Sequence, residues 1–377
     1  MHNLKVDISA TVYFPGKSFK EYTFLSTDTV DGEYYFTNEY GVPEQRRPTR
    51  SFVRNFMGCL VGCFNNAIIA GDVKNTSGTN VSSATPYLDV QGPATDATEG
   101  LVVGTDNGTT LPLAATNNAM GAKIAHGTSA GQLAYGNTVI VPPAVSGSNY
   151  VLAVTRKFTN STAGDITIQE VGMLSDVGGS NSTLVARDIG VGKTIAAGAN
   201  STLTYNTITS NTSGFTKNFL KILSSQYNAN AAVNLVLIDG TTASPSSPSA
   251  ALMMGSSYFT SIPKVGIVVG TGNGAENWDD YALGTYIEEG GDSGQLVQGF
   301  NATFPVTIAG SVTTSILKRW FFNDSGSTIT INELGIYGYN TATAGKQVMF
   351  FRRLLSSPIS LSTGSAVLIS VTFSVTT

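Results

Sequence analysis

The sequence predicts a mainly β protein: two tandem β-sandwich or barrel domains, each with one amphipathic α-helix, preceded by an N-terminal β arm. Three observations carry this. First, Ile166-Thr167-Ile168-Gln169-Glu170-Val171-Gly172 returns as Ile329-Thr330-Ile331-Asn332-Glu333-Leu334-Gly335, 163 residues later, and other matches keep nearly that interval. Second, short apolar runs alternate with polar residues and are separated by Gly, Ser, Thr and Asn turns, the pattern of strands in a sandwich. Third, only 12% of the residues are charged, against roughly 25% in ordinary globular chains.

Residues 1–50 match neither copy and read as an arm or hairpin for inter-subunit contact. Leu4, Val6, Ile8, Ala10 and Val12 alternate with polar neighbours as in a half-buried strand, and Pro15-Gly16 then makes a turn. So little core suggests that Leu4, Val6, Ile8 and Val12 lean on something else. Strand addition to a neighbouring subunit is one reading, and a hairpin packed on the chain's own first domain is the other. The first copy is expected over 51–210 and the second over 211–377.

Each copy opens with a helix. Phe52, Phe56, Leu60, Cys63 and Phe64 fall on one helical face, with Arg50 and Arg54 outside it. Phe215, Phe219, Leu220, Leu223 and Tyr227 repeat the stripe, with Lys217, Asn218, Lys221 and Ser224 away from it. Polar passages at 71–98 and 239–262 read as surface loops. Leu101-Val102-Val103-Gly104-Thr105 and Ile267-Val268-Val269-Gly270-Thr271 are strands running into glycine turns. Further strands are expected at 149–159, 165–174, 183–189 and 201–208, with partners at 313–322, 328–337, 347–354 and 365–376.

The candidate chemistry is thin. Gly270-Thr271-Gly272-Asn273-Gly274 lacks the helix that a dinucleotide fingerprint needs behind it, and Asp106 stands at the place of Gly272 in the first copy. The acidic runs Glu276, Asp279, Asp280 and Glu288, Glu289, Asp292 read as solvated loop charge rather than a calcium site, because the first copy carries Asn117 and Asn118 in the comparable loop. Cys59 and Cys63 read as small buried apolar residues. The two histidines, His2 and His126, have no nucleophile motif beside them.

The informative charges are Glu170 and Glu333. Each shares strand parity with two isoleucines and should point inward, where a carboxylate needs a partner. Arg156 and Arg319 on a neighbouring strand, or Arg187 and Arg352 on the next, are placed to supply one as structural ion pairs. No catalytic residue, cofactor or metal is expected. A net charge of −4 gives no basic footprint for nucleic acid. The N-terminus lacks the pattern of a signal peptide, and no apolar run approaches membrane-spanning length.

The block from Phe-x-x-Asn-Phe through Val-Val-Gly-Thr, Gly-Gln-Leu-x-x-Gly, Arg-x-Phe-x-Asn and Ile-Thr-Ile-x-Glu-hydrophobic-Gly to a Thr-rich final strand resembles a repeat found in structural proteins of tailed bacteriophages. It covers residues 51–377 in two copies. The resemblance implies a non-enzymatic virion protein, assembled in the host cytoplasm, whose partners are copies of itself and other virion proteins, with no specific nucleic acid sequence and no membrane. A tail tube subunit is the first expectation: trimeric rings of duplicated domains would give pseudo-sixfold symmetry. A capsid decoration protein, or a fibre that binds host-surface glycans, is the alternative.

Overall fold

Alternating apolar and polar residues decide where strands form, and the computed structural model of this chain follows that pattern. It describes every residue except 1–3, 17, 25–27, 50–51, 66–67, 70, 82–87, 179–181, 230, 245–263, 304–305, 341–345 and 377, together with all side chains of described residues but those of 64, 65, 303, 340 and 346. The arm supplies β1 (Leu4–Tyr13), β2 (Phe19–Phe24), β3 (Thr29–Thr37) and the short β4 (Arg47–Pro48). The first copy contains α1 (Arg54–Asn65), β5 (Gly100–Gly104), β6 (Ala134–Ser146), β7 (Asn149–Thr159), β8 (Ile166–Asp176), β9 (Ser182–Ile195) and β10 (Asn200–Ser210). The second contains α2 (Lys217–Tyr227), β11 (Leu235–Val236), β12 (Thr242–Ala243), β13 (Gly266–Gly270), β14 (Val297–Gln298), β15 (Ala302–Thr303), β16 (Thr307–Ala309), β17 (Val312–Phe322), β18 (Ile329–Asn340), β19 (Lys346–Leu361) and β20 (Ala366–Thr376). The chain is mainly β, as its composition implies.

The two copies are joined by one sheet rather than strung in tandem. Its path runs β14-β17-β20-β1-β3-β10-β7-β6, with β2, β4, β15 and β16 paired at its sides. Read from either end, the order meets equivalent strands: β17 answers β7, and β20 answers β10. The arm strands β1 and β3 fill the middle. From β20 to β10 there are three antiparallel steps, so these equivalent strands run in opposite directions. The copies are therefore related by a pseudo-twofold axis that passes between β1 and β3.

This placement corrects the inter-subunit reading of the arm. Leu4, Val6, Ile8 and Val12 are buried within their own chain, at 2% exposure or less, because β1 pairs with β20 from Lys5↔Ser374 to Tyr13↔Ala366. Likewise β3 pairs with β10 from Val30↔Thr209 to Thr37↔Thr202. Nor is the arm a hairpin on the first domain alone, since each of its two long strands serves a different copy.

The second layer is made of two three-stranded sheets, β5-β8-β9 and β13-β18-β19, and the two helices. Here too the copies interlock. Helix α1 packs on β9 of its own copy and on β15 and β17 of the other, while α2 packs on β19 of its own copy and on β6 and β7 of the other. Each helix is consequently covered on more than one side. Asn218 and Ser224, expected to lie away from the apolar stripe, are buried along with it. Phe52 and Phe215 stand just before their helices and form isolated bridges with Ala186 and Phe351. Cys59 and Cys63 are buried thiols, and burial pushes the Cys63 thiol up to about 12. Among the described residues no helix is long and apolar enough to cross a membrane.

If β1 is a core strand, Ile8→Ala should lower the free energy of unfolding by about 2–5 kcal/mol. Urea titration of the purified chain measures this, and an unchanged value would return β1 to the role of a peripheral arm.

Candidate functional site

The recurring motif residues converge on two equivalent polar centres, one in each copy. Glu170 on β8 and Glu333 on β18 face inward, because their parity is that of the flanking isoleucines, and both are fully buried. Glu170 Oε2 accepts from Arg187 Nε at 2.9 Å, and Glu333 Oε2 accepts from Arg352 Nε at 2.8 Å. Thus the arginine on β9 or β19 is the ion-pair partner in each copy.

Each carboxylate also collects backbone donors from the long loop that follows β5 or β13. Gly121 and Ala122 donate to Glu170 at 3.1 and 2.7 Å, while Gly272, Gly284 and Thr285 donate to Glu333 at 3.0, 3.1 and 2.9 Å. The glycine of Val-Val-Gly-Thr makes room for this: a Cβ on Gly104 or Gly270 would collide with the glutamate side chain. The glycine two residues past each glutamate does similar work. A Cβ on Gly172 would strike the Met120 sulfur, and one on Gly335 would lie 2.9 Å from a Leu283 methyl.

A second anion completes each centre, and the two copies take it from different positions. Arg187 Nη2 lies 3.0 Å from Asp106 Oδ2, and its Nη1 donates to the Asn117 amide oxygen at 3.1 Å. In the second copy Gly272 stands where Asp106 would be, and Asp280 stands where Asn117 would be. Arg352 Nη1 donates to Asp280 Oδ2 at 2.7 Å. The charge has moved from one wall of the site to the other while its sum is unchanged. Asp106, Glu170 and Arg187 side chains are 0–1% exposed, whereas Asp280 is 23% exposed. Burial works against an ionised Asp106, but the N–H groups of Thr110, Leu111 and Gly108 and the Arg187 guanidinium outweigh it and hold the carboxyl below its ordinary range. For Arg352 burial opposes the charge, and Asp280 and Glu333 override it and hold the guanidinium above its ordinary value.

The expectation that Arg156 and Arg319 pair with these glutamates is corrected. Both lie on the large sheet and spend their donors on carbonyl oxygens. Arg156 donates to Gly136, Glu99, Leu101, Pro93 and Asp96, and Arg319 donates to Gly299, Val265 and Ile267. Rigid five-donor geometry suits this clamp on loop backbone. With no carboxylate among those partners, burial dominates and pushes both guanidinium groups down to about 10.

Other motif residues pin backbone in the same duplicated way. Asn55 Nδ2 reaches the Lys74 and Leu184 carbonyls, and Asn218 Nδ2 reaches those of Val236 and Met349. Asn160 holds Gly164 and Ile195, and Asn323 holds Ser327 and Leu361. Gln132 and Gln295 accept from the N–H groups of Ser129 and Asp292 in the preceding turn. The signal for the second anion is present in the sequence: Asp106 gives way to Gly272 in the second copy while Asn117 gives way to Asp280.

The acidic runs of the second copy are also less solvated than expected. Arg353 Nη1 lies between Asp28 Oδ1 at 2.9 Å and Glu276 Oε2 at 3.2 Å, and Gly214 N–H donates to the same Asp28 oxygen at 2.8 Å. Arm, linker and second copy are joined there. Asp279 and Glu288 form exposed pairs with Lys217 and Lys264. Among the described residues no group of three or more His, Cys, Asp or Glu is arranged to hold a metal ion. Comparison with protein-family models, curated proteins and solved structures returns no match.

The chemistry of these centres is that of a brace. A fully buried carboxylate, already saturated by a guanidinium and several N–H groups, holds two neighbouring strands of one sheet and a loop in register. Glu170→Ala and Glu333→Ala should each destabilise the fold by about 3–5 kcal/mol, because a buried arginine loses a partner; calorimetry or urea unfolding measures it. Asp106 adds a pH dependence. Its folded-state value lies below the ordinary 3.8, so its contribution is complete above that value and disappears as pH falls through the lower folded value. Asp106→Asn should therefore flatten the loss of stability from about pH 5 to about pH 2 relative to the parent chain. Parallel curves for the two proteins would count against the brace.

Proposed function

We propose that this chain is a non-enzymatic structural protein of a phage virion that acts through self-assembly and surface contact. The observation that carries the reading is the fate of the recurring motif residues: asparagines, arginines and glutamates that could have carried chemistry are buried and engaged with backbone or with each other, and the glutamines brace turns. Those residues build a rigid double scaffold. The resemblance of the same motifs to the repeat of tailed-phage structural proteins supplies the virion context.

Within that class we favour a component that decorates the particle, or a fibre, over the tube subunit. Ring neighbours in a tube are related by rotation about the tube axis, which keeps equivalent strands pointing the same way along it. The fused copies here are related by a half-turn that reverses equivalent strands, which speaks against two successive sectors of a sixfold ring. The arm, expected to make an inter-subunit contact, is paired inside its own chain.

Electron micrographs of the purified protein, alone and mixed with particles assembled without it, test this. Discrete oligomers that add to such particles are expected. Long hollow tubes with regular axial rings would overturn the preference, and hydrolytic or transferase activity tracking with the pure chain would overturn the class.

A further inference from the structure

The outer face of the large sheet differs between the two copies, and the difference is concentrated at one end of the second. Two rungs run across β2, β1, β20, β17 and β14 there. In the first, Tyr13 pairs with Phe19 on one side and with Ala366 on the other, Ala366 pairs with Phe322, and Phe322 pairs with Val297. One rung inward Trp320 pairs with Leu368. Because Ala366 is small, Tyr13 and Trp320 meet over it with ring centroids 5.3 Å apart, and Phe19 lies 6.5 Å from Tyr13. The Gly299 N–H donates to the Trp320 carbonyl at 2.8 Å, which sets Phe300 beside the patch.

These side chains are unusually open. Tyr13, Phe19, Phe300, Trp320 and Phe322 are 42%, 62%, 69%, 44% and 38% exposed. An aromatic side chain carries on the order of 200 Å², so five rings at that exposure leave about 500 Å² of aromatic surface, near the upper end of what a monomer shows.

The fold does not ask for this surface. At the equivalent positions of the first copy Trp320 is answered by Lys157, Phe322 by Thr159, Phe300 by Asn137 and Val297 by Ala134. The equivalent strand β7 forms there with Lys157 and Thr159 at these outward positions, so the aromatic groups of the second copy serve something outside the fold.

We propose that this face is a self-association surface, covered by the same face of a second copy of the chain in a twofold dimer. The area argues for it: about 500 Å² of aromatic core plus a polar rim approaches the roughly 800 Å² that each partner gives to a standard interface. Its anatomy argues likewise, with aromatic groups at the centre and Ser9, Thr11, Thr23 and Ser370 hydroxyls behind them. Glu21 on β2 and Lys318 on β17 stand on opposite flanks of the patch, so a half-turn contact brings unlike charges toward one another. The proposal deepens the assembly reading given above and rests on it only for the biological setting; the dimer itself is a property of the purified chain.

The first copy supplies the test variant. Phe300→Asn, Trp320→Lys and Phe322→Thr together install residues that the same strands already tolerate, so folding should survive, as a thermal melt of each protein checks. Sedimentation velocity over roughly a hundredfold range of concentration should show the parent chain as a dimer and the triple variant as a monomer, its dissociation constant raised at least about a hundredfold. Phe19→Asn, on the exposed side of β2, gives a second disruption should the triple variant melt early. Changing Lys157 and Thr159 to Ala in the first copy should leave the dimer intact. A parent chain that sediments as a monomer throughout overturns the proposal, as does a folded triple variant that associates like the parent. A monomeric parent whose tryptophan fluorescence responds to oligosaccharides would overturn it in favour of a glycan platform. A variant that no longer dimerises yet still adds to particles would leave the virion reading standing. A dimeric parent that never joins particles would leave the interface standing without it.

Discussion

A β-sheet cannot end on bare backbone in the middle of a molecule, and that constraint shapes this chain. Each copy of the repeat builds a sheet whose last strand, β10 or β20, presents an unpaired edge toward the other. The N-terminal segment gives each of them a strand, β3 for the first copy and β1 for the second, and turns two open edges into the centre of one sheet. The crossed helices follow from the same joint, since each reaches over the seam to cover the other copy's strands. The two halves are thereby mutually dependent, although each carries its own ionic centre and its own pinned loops.

The ionic centres explain how so much of the chain stays ordered without regular secondary structure. The connections after β5 and β13 are far longer than ordinary loops. They are fastened from below by a glutamate and two arginines per copy, one arginine acting on carboxylates and the other on carbonyls. Two kinds of anchoring result: an ionic one that responds to acid, and one in which a guanidinium donates to the carbonyl oxygens of the loop backbone.

Much of this was legible in the sequence. The 163-residue interval marks the repeated motifs, strict alternation marks β1 and β20, and inward parity singles out Glu170 and Glu333 as buried charges. What escaped were properties of the third dimension. The alternation of Leu4, Val6, Ile8 and Val12 states that one face is buried and is silent about which edge is paired, so an internal central strand reads like an exchanged arm. Arg156 and Arg187 are alike to a reader of spacing; only the position of loop carbonyls over β7 separates a clamp from an ion pair. Strand β6 carries no clear mark, since Pro142-Pro143 interrupts its pattern; prolines are accepted on a sheet edge, where a missing N–H costs nothing.

Helices α1 and α2 carry Cys63 and Gln226 at equivalent places, and the thiol sulfur sits 3.8 Å from the amide oxygen. Two equivalent residues touch each other only on the symmetry axis itself. In a true dimer of a single copy this place would hold one residue type meeting its own image, with every choice limited to side chains that tolerate themselves. A fused pair is free of that restriction. A thiol facing a carboxamide has no symmetric counterpart, so the buried heart of the molecule now encodes which half is which, and free halves from different chains would no longer be interchangeable.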